Sequence, residues 1–173
     1  MQILFINLIT DSLPAIALGV EQPEVDLMSS PPRDKKKGLF SNGIGVSIVV
    51  LGLVQTLLMV LSYIIGLRFG ENVASTMAFY TLNIIQMFYL ASMRTNSFIF
   101  KSKPHKNKFF ILAVFFCFGL TALFAFTPLR AVLGLSKLNS SQWAIIFALS
   151  IVMLLVSEVY KLFEHIIRKR NAR

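Results

Sequence analysis

The amino-acid sequence predicts an all-α, polytopic membrane protein, folded as a bundle of five transmembrane helices. Of its 173 residues, 55% are hydrophobic and the mean hydropathy is +0.70, which is too apolar for a soluble domain with an ordinary surface. Apolar runs long enough to span a bilayer occur five times, and the gaps between them carry charges, glycines and prolines. Basic residues are concentrated in alternate gaps, which is typical of multi-pass membrane proteins.

The five apolar runs set the predicted span boundaries. They are Met1–Val20, Ile44–Leu67, Val73–Met93, Phe109–Thr127 and Trp143–Phe163. The third run is the least hydrophobic because polar side chains interrupt it, so we expect it to face other protein or an ion path more than lipid. Those side chains are Ser75, Thr76, Thr81, Asn83, Gln86 and Ser92. Cys117 is the single cysteine, so no intrachain disulfide can form.

The distribution of lysine and arginine predicts the orientation of the bundle. Of the 17 basic residues, four lie in the loop after the first run, five in the loop after the third and five on the side of the C-terminal tail, including Lys161 near the end of the fifth run. Only Arg68, Arg130 and Lys137 lie on the other side. The positive-inside rule then predicts that the C-terminal tail is cytoplasmic and that Met1 is outside. The net charge of +9 is therefore a topology signal, and we expect no nucleic-acid partner.

Three polar residues of the first run have the spacing of one helix face. Asn7, Thr10 and Asp11 are spaced i, i+3 and i+4, and they offer an amide carbonyl, a hydroxyl and a carboxylate. Pro14 has no backbone N–H to bond the Thr10 carbonyl, so we expect the first helix to be kinked at Pro14 with a free carbonyl oxygen beside Asp11. Oxygen donors of this kind are the ligands that hard cations prefer.

The buried charge favours a cation site over simple packing. A carboxylate in mid-span costs about 2.5–3.5 kcal/mol on insertion scales, so Asp11 needs a partner or a watery cavity. Broken helices that carry such an acid are how transporters commonly form ion sites. Asn7 or Thr10 alone could equally bond a neighbouring helix without binding anything. The set of three predicts metal binding.

In the third run, Asn83 and Gln86 are spaced i, i+3 and share a helix face. Gln86 lies near the middle of the span, where its side chain could supply a neutral oxygen ligand. The alternative is that both amides bridge neighbouring helices, and the sequence leaves these two possibilities open.

The first thirty-odd residues resemble a known family. The segment Asn7-Leu8-Ile9-Thr10-Asp11-Ser12-Leu13-Pro14-Ala15, followed by Ala17-Leu18-Gly19, looks like the sixth transmembrane helix of type II P-type ATPases. Pro31-Pro32-Arg33 and Gly38-Leu39-Phe40 are similar to the loop that follows that helix. Five spans in this orientation would then be the sixth to tenth helices, so residues 1–173 would form the C-terminal transmembrane domain of a P-type cation ATPase.

The resemblance is to the calcium-transporting type, because sodium/potassium pumps have an aspartate where Asn7 stands. It implies that Asn7 and Asp11 are ligands of the calcium site that one-ion and two-ion members share. Thr10 and Asp11 would belong to the second site. Gln86 falls where the two-ion pumps have a glutamate, so this chain resembles the plasma-membrane-type and bacterial members that move one calcium per cycle. Localisation in the cell membrane follows from the same resemblance.

The family mechanism implies an aspartyl-phosphate formed from ATP and Mg²⁺ in cytoplasmic domains. Neither those domains nor the fourth and fifth helices that complete the ion cage are among these residues, so this chain alone should neither hydrolyse ATP nor bind calcium tightly. The expected partners are the lipid bilayer, the remaining N-terminal part of the pump and the transported cation. Because Met1 would stand at the outer end of a helix, we expect the chain to be the C-terminal piece of a larger protein. A genuine start with an inverted first helix is the alternative.

Three functional hypotheses follow. The first is part of the ion site of an ATP-driven calcium pump, with Ca²⁺ as the transported ion. The second is a pump for manganese or another cation, since an oxygen-donor set does not exclude Mn²⁺. The third is a small self-standing channel or a structural membrane protein with a polar, kinked helix.

Overall fold

The computed structural model describes residues 2–20, 44–93 and 108–171, except for the side chains of residues 9, 10, 44, 93 and 165–171. The described chain contains five long helices and no strand. The helices are α1 (Gln2–Gly19), α2 (Ile44–Leu67), α3 (Glu71–Met93), α4 (Lys108–Phe126) and α5 (Ser140–Asn171). A short 3₁₀ helix, Pro128–Leu133, lies between α4 and α5. Each of the five is long and apolar enough to cross a membrane, which confirms the predicted fold class.

Helix α3 forms the centre of the bundle. It packs against α2 and α5 along most of its length and contacts α1 and α4 on its other side. In its membrane-spanning window 56% of the residues are buried, against 11–25% in the other four helices. One apolar cluster joins α3 to α1 through Phe5, Ile6, Phe79 and Ile84. The prediction that the polar third span faces protein is confirmed.

A tight turn joins α2 to α3. Gly70, at φ +114°, adopts a backbone conformation that side chains disfavour, and its carbonyl accepts the Ala74 N–H at 2.9 Å. Gly66, the next-to-last residue of α2, lies directly against the backbone of Ala74. Further into the bundle, the hydroxyls of Ser62 and Thr81 are 2.7 Å apart and form a buried hydrogen bond between the two helices.

Helix α5 begins at Ser140, three residues before the predicted Trp143. The Asn139 carbonyl accepts hydrogen bonds from the N–H groups of Gln142 and Trp143. The Gln142 side chain in turn accepts the Asn139 N–H at 2.7 Å. The bond from the Asn139 N–H to the Gln142 side chain is one half of a capping box, and it supplies a partner to an otherwise unpaired N–H at the helix start. The hydropathy pattern did not predict a helix start at Ser140, because polar capping residues add nothing to an apolar run.

The outer faces of the bundle are apolar. Phe109, Phe115 and Phe126 on α4 are 67–75% exposed, whereas Phe110 is buried. Leu57 on α2 and Phe163 on α5 are also exposed, at 67% and 63%. Apolar surface of this extent is exceptional in soluble proteins and is what a helix bundle presents to lipid.

Candidate cation site

The predicted ligands of α1 lie on an irregular section of that helix. Residues Gln2–Phe5 are α-helical, Ile6–Asp11 form a π-helix, and Ser12–Gly19 return to α-helix. The Ser12 hydroxyl donates a 2.7 Å hydrogen bond to the Asn7 carbonyl, five residues back. π-helical turns are rare and occur frequently at functional sites. Pro14 is the third residue of the α-helical section that follows, and a kink there stays a prediction.

The π-helix changes which residues share a face. It has more residues per turn than an α-helix, so residues four apart come closer to alignment, while residues three apart diverge. Asn7 and Asp11 should therefore stay on one face. Asn7 is exposed and Asp11 partly exposed, and Leu8 beside them is 63% exposed, so the described helices leave this face of α1 uncovered. The backbone of Thr10 belongs to the π-helix, but its side chain lies outside the described set.

Asp11 has no basic counter-ion near it in residues 2–20, 44–93 and 108–164. An ion pair in this part of the chain joins Lys161 to Glu158, far from the capped start of α5. A carboxylate in a membrane span without a cationic side chain needs water or a bound cation to offset its desolvation.

Helix α3 carries three buried oxygens without a hydrogen-bond partner among the described residues: Tyr80 Oη, Asn83 Oδ1 and Gln86 Oε1. They recur every three residues. The Asn83 amide donates through Nδ2 to the Phe79 carbonyl of its own helix at 2.7 Å. The oxygen, Oδ1, is therefore the end of the amide that points away from this carbonyl. An unpartnered buried oxygen costs about 1–3 kcal/mol, so native proteins supply water or a ligand at such positions.

The Asn83 and Gln86 amides do not bridge helices in the described chain. The Asn83 bond is intrahelical, and Gln86 shares no hydrogen bond with Asp11. Among the described residues, therefore, neither amide makes the hydrogen-bonded bridge that was one of the two alternatives left open by the sequence. The sequence left a site role open for Asn83 as well as for Gln86, through their i, i+3 spacing, and both side-chain oxygens are without a partner in this part of the chain.

The contacts between α1 and α3 show that the two helices run in the same direction with a nearly constant offset. The Ser75 hydroxyl lies 3.4 Å from Gln2 Oε1, and the Phe5 and Phe79 rings are 5.8 Å apart, so the paired positions differ by 73 and 74 residues. The π-helical section continues this contact with α3. An offset of this size leads from Asp11 to the stretch of α3 between Asn83 and Gln86. The aspartate and the orphaned amide oxygens therefore lie at similar depth in the bundle.

These oxygen donors do not make a complete calcium site by themselves. Calcium takes six to eight oxygens, more than Asn7, Asp11, Asn83 and Gln86 can offer together. Among the described residues no three His, Cys, Asp or Glu side chains cluster, so a site here would have a single carboxylate and neutral donors. Such a donor set suits a hard cation and would need further ligands from outside these residues.

Taken together, the fold and these residues define a multi-pass membrane protein with oxygen donors buried in its spans. The family profile described as "Cation transporting ATPase, C-terminus" matches residues 1–163. The chain therefore belongs to the P-type cation-transporting ATPase family and corresponds to the C-terminal membrane region of its calcium-transporting members.

Three bacterial relatives illustrate the similarity. The chain is 32% identical to calcium-transporting ATPase 1 of Lactococcus lactis over 171 residues, covering 98% of the chain and 20% of the relative. It is 30% identical to a calcium-transporting ATPase of Listeria monocytogenes over 95% of the chain and 19% of the relative. It is 33% identical to the calcium-transporting ATPase of Bacillus subtilis over 88% of the chain and 18% of the relative. The chain thus spans about a fifth of the length of the curated relatives it matches.

Proposed function

We propose that this chain is the C-terminal membrane domain of an ATP-driven calcium pump and that it supplies one side of the transmembrane cation site. Asn7, Thr10 and Asp11 on α1, together with Gln86 on α3, are the proposed ligands. The observation that carries the proposal is the buried Gln86 oxygen, which has no hydrogen-bond partner among the described residues and lies at a depth similar to that of Asp11, near which the described chain places no basic side chain. A cation between the two helices would offset both costs at once.

The uncovered face of α1 supports a shared cage. Asn7 and Asp11 are at least partly exposed on a helix whose other face packs into the bundle through Phe5 and Ile6. The relatives are about five times longer than the region they share with this chain, so further helices are available to cover that face. We propose that those helices contribute the missing oxygens.

The neutral side chain at position 86 supports transport of one calcium ion per cycle. With Asp11 as the only carboxylate among the proposed ligands, a second divalent cation would face net positive charge in a medium of low dielectric constant. ATP and Mg²⁺ would act in the remaining part of the longer protein. In the proposed orientation the C-terminal tail is cytoplasmic, as the distribution of basic residues indicates.

The experiment uses the full-length pump in isolated membranes. Phosphoenzyme formation from ATP is measured as free calcium is varied, and Asp11→Asn is compared with wild type. This change removes the charge and almost no volume, so the helix should insert normally while high-affinity calcium dependence is lost. Glu71→Gln is the matched control, because it makes the same chemical change at an exposed position at the start of α3.

Wild-type calcium affinity in Asp11→Asn would exclude Asp11 as a ligand. Repeating the titration with Mn²⁺ separates the two pump hypotheses. Phosphorylation that responds to manganese and not to calcium would assign the chain to a manganese pump. Absence of any cation-dependent phosphoenzyme in the wild type would favour a channel or a structural protein.

A further inference from the structure

Four polar residues at one end of the bundle are joined by hydrogen bonds into one group, here named the Ser92 network. It consists of Ser92, near the end of α3, and Ser157, Glu158 and Lys161 on α5. The Ser92 hydroxyl donates to Glu158 Oε1 at 2.7 Å. Lys161 Nζ donates to the same carboxylate oxygen at 2.9 Å and to the Ser92 backbone carbonyl.

Ser157 completes the network. Its hydroxyl lies 3.0 Å from the Ser92 hydroxyl and 2.8 Å from the Leu154 carbonyl, and its proton can be donated to either oxygen. The Lys161 and Glu158 side chains are only 9% and 13% exposed. Ionisable groups this buried within a membrane span are expensive, and they are usually retained for a function.

The network attaches α3 to α5 through a single residue. All three links end on Ser92, two of them on its hydroxyl and one on its carbonyl. That carbonyl is among the last four of α3, which have no partner within the helix, so the Lys161 ammonium acts as a C-terminal cap. Because hydrogen bonds are directional, this attachment defines both the rotation and the height of the α3 end.

Between the Ser92 network and the level of Gln86, α3 and α5 meet through apolar side chains. Ile85 and Tyr89 on α3 pack against Met153, Val156 and Tyr160 on α5. Apolar packing of this kind is non-directional and can adjust by sliding or rotating. Ser92 lies six residues after Gln86, which is about 9 Å along the helix axis. A directional attachment at Ser92 can therefore set where the Gln86 oxygen points.

We propose that Lys161 and Glu158 are positioning residues for the cation site, which hold α3 so that Gln86 faces the ion. This inference rests on the proposed function. Neither residue touches the ion, and both act through Ser92 and the α3 backbone. Loss of the attachment lets the α3 end rotate, so the Gln86 oxygen spends less time in its binding position and calcium affinity falls.

The test is a calcium titration of phosphoenzyme formation in the full-length protein with Lys161→Met. We expect the calcium concentration for half-maximal phosphorylation to rise about threefold to tenfold, the size seen when a substitution acts on a site without touching the ligand. The maximal phosphoenzyme per milligram of pump should stay unchanged. Lys161→Arg keeps the charge and the donors, so it should restore most of the affinity.

Two further comparisons separate positioning from general loss of structure. Lys137→Met makes the same substitution at an exposed residue and should leave the affinity unchanged. In a Gln86→Ala background, Lys161→Met should have no additional effect, because there is no Gln86 oxygen left to misplace. If Lys161→Met shifts the affinity equally in both backgrounds, or not at all, the inference is overturned.

The loss of the Lys161 ammonium beside the mostly buried Glu158 carboxylate could prevent Lys161→Met from accumulating. In that case the Glu158→Leu/Lys161→Met double variant is measured instead, because it removes both members of the ion pair and still removes the cap on Ser92. The affinity shift is expected there too, and its absence contradicts the inference. Asp11→Asn is included in each titration. If Asp11→Asn keeps wild-type affinity, the proposed function itself fails, and this outcome is distinct from failure at Lys161.

Discussion

Replacing Gly66 by alanine tests a close backbone contact between α2 and α3. A Cβ atom at position 66 would lie 2.5 Å from the Cα and 3.2 Å from the Cβ of Ala74. Carbon atoms pack without repulsion at about 3.5–4.0 Å, so α2 and α3 would have to separate by about 1 Å. The atoms in the way are backbone, and Gly70 at φ +114° holds the turn between the two helices tightly, so the strain cannot be relieved by a side-chain rotation.

The magnitude follows from two opposing effects. Overpacking of a tight interface costs about 1–3 kcal/mol. Replacing glycine by alanine within a helix gains about 1 kcal/mol of helix propensity. Gly52, in the middle of α2, is the matched control, because no atom lies within 4 Å of a Cβ built there. Gly66, as the next-to-last residue of α2, gains less propensity than Gly52, so the difference between the two variants combines the clash of about 1–3 kcal/mol with at most about 1 kcal/mol of propensity.

The assay is thermal stability of the detergent-solubilised full-length protein, followed as the monodisperse fraction on size-exclusion chromatography after heating. Gly66→Ala should lose this fraction at a clearly lower temperature than wild type, and Gly52→Ala at the same temperature or a higher one. Equal stability of the two variants would show that α2 and α3 do not approach closely at Gly66.

Two further predictions concern buried polar side chains of α3 and its contact with α2. Ser62→Ala and Thr81→Val should each destabilise the protein by roughly 0.5–1.5 kcal/mol, because each breaks the buried 2.7 Å hydrogen bond, and the double variant should lose less than the sum. Additive losses in the same heating assay would exclude this bond. Gln86→Glu should raise the number of calcium ions bound per phosphoenzyme above one, provided that helices outside this chain supply the remaining oxygens. Equilibrium calcium binding checks this, with Gln142→Glu at the end of the bundle as the control; an unchanged ratio would argue against a role for position 86 in stoichiometry.

The number and the type of helices were predictable because both depend on local composition. A segment that crosses lipid must satisfy its own backbone hydrogen bonds and keep its apolar side chains away from water. A sufficiently long apolar run is therefore expected to form a transmembrane helix. Helix ends were less predictable. The start of α5 at Ser140 depends on the Asn139–Gln142 cap, which is polar and invisible to hydropathy.

The candidate site was predictable only in part. Asp11 stood out because a charge in an apolar run is costly wherever the helix lies. The offset that aligns Asp11 with Gln86 could not be predicted, because it depends on contacts between residues more than 70 positions apart, such as Phe5 with Phe79. The π-helical turn was not predicted either, since the missing N–H of Pro14 is compatible with several ways of rearranging the preceding turn.

By itself, therefore, the sequence determined the class of protein, its five spans, its expected orientation and the residues with the chemistry to hold a cation. These properties follow from hydropathy, charge and the loss of one backbone donor, all of which are local. Only the tertiary structure decided that α3 is the central helix, that the buried Asn83 and Gln86 oxygens have no partner in the described part of the chain, and that Lys161 caps the end of α3. Those features arise from packing between distant segments, where the depth and rotation of each helix depend on its neighbours.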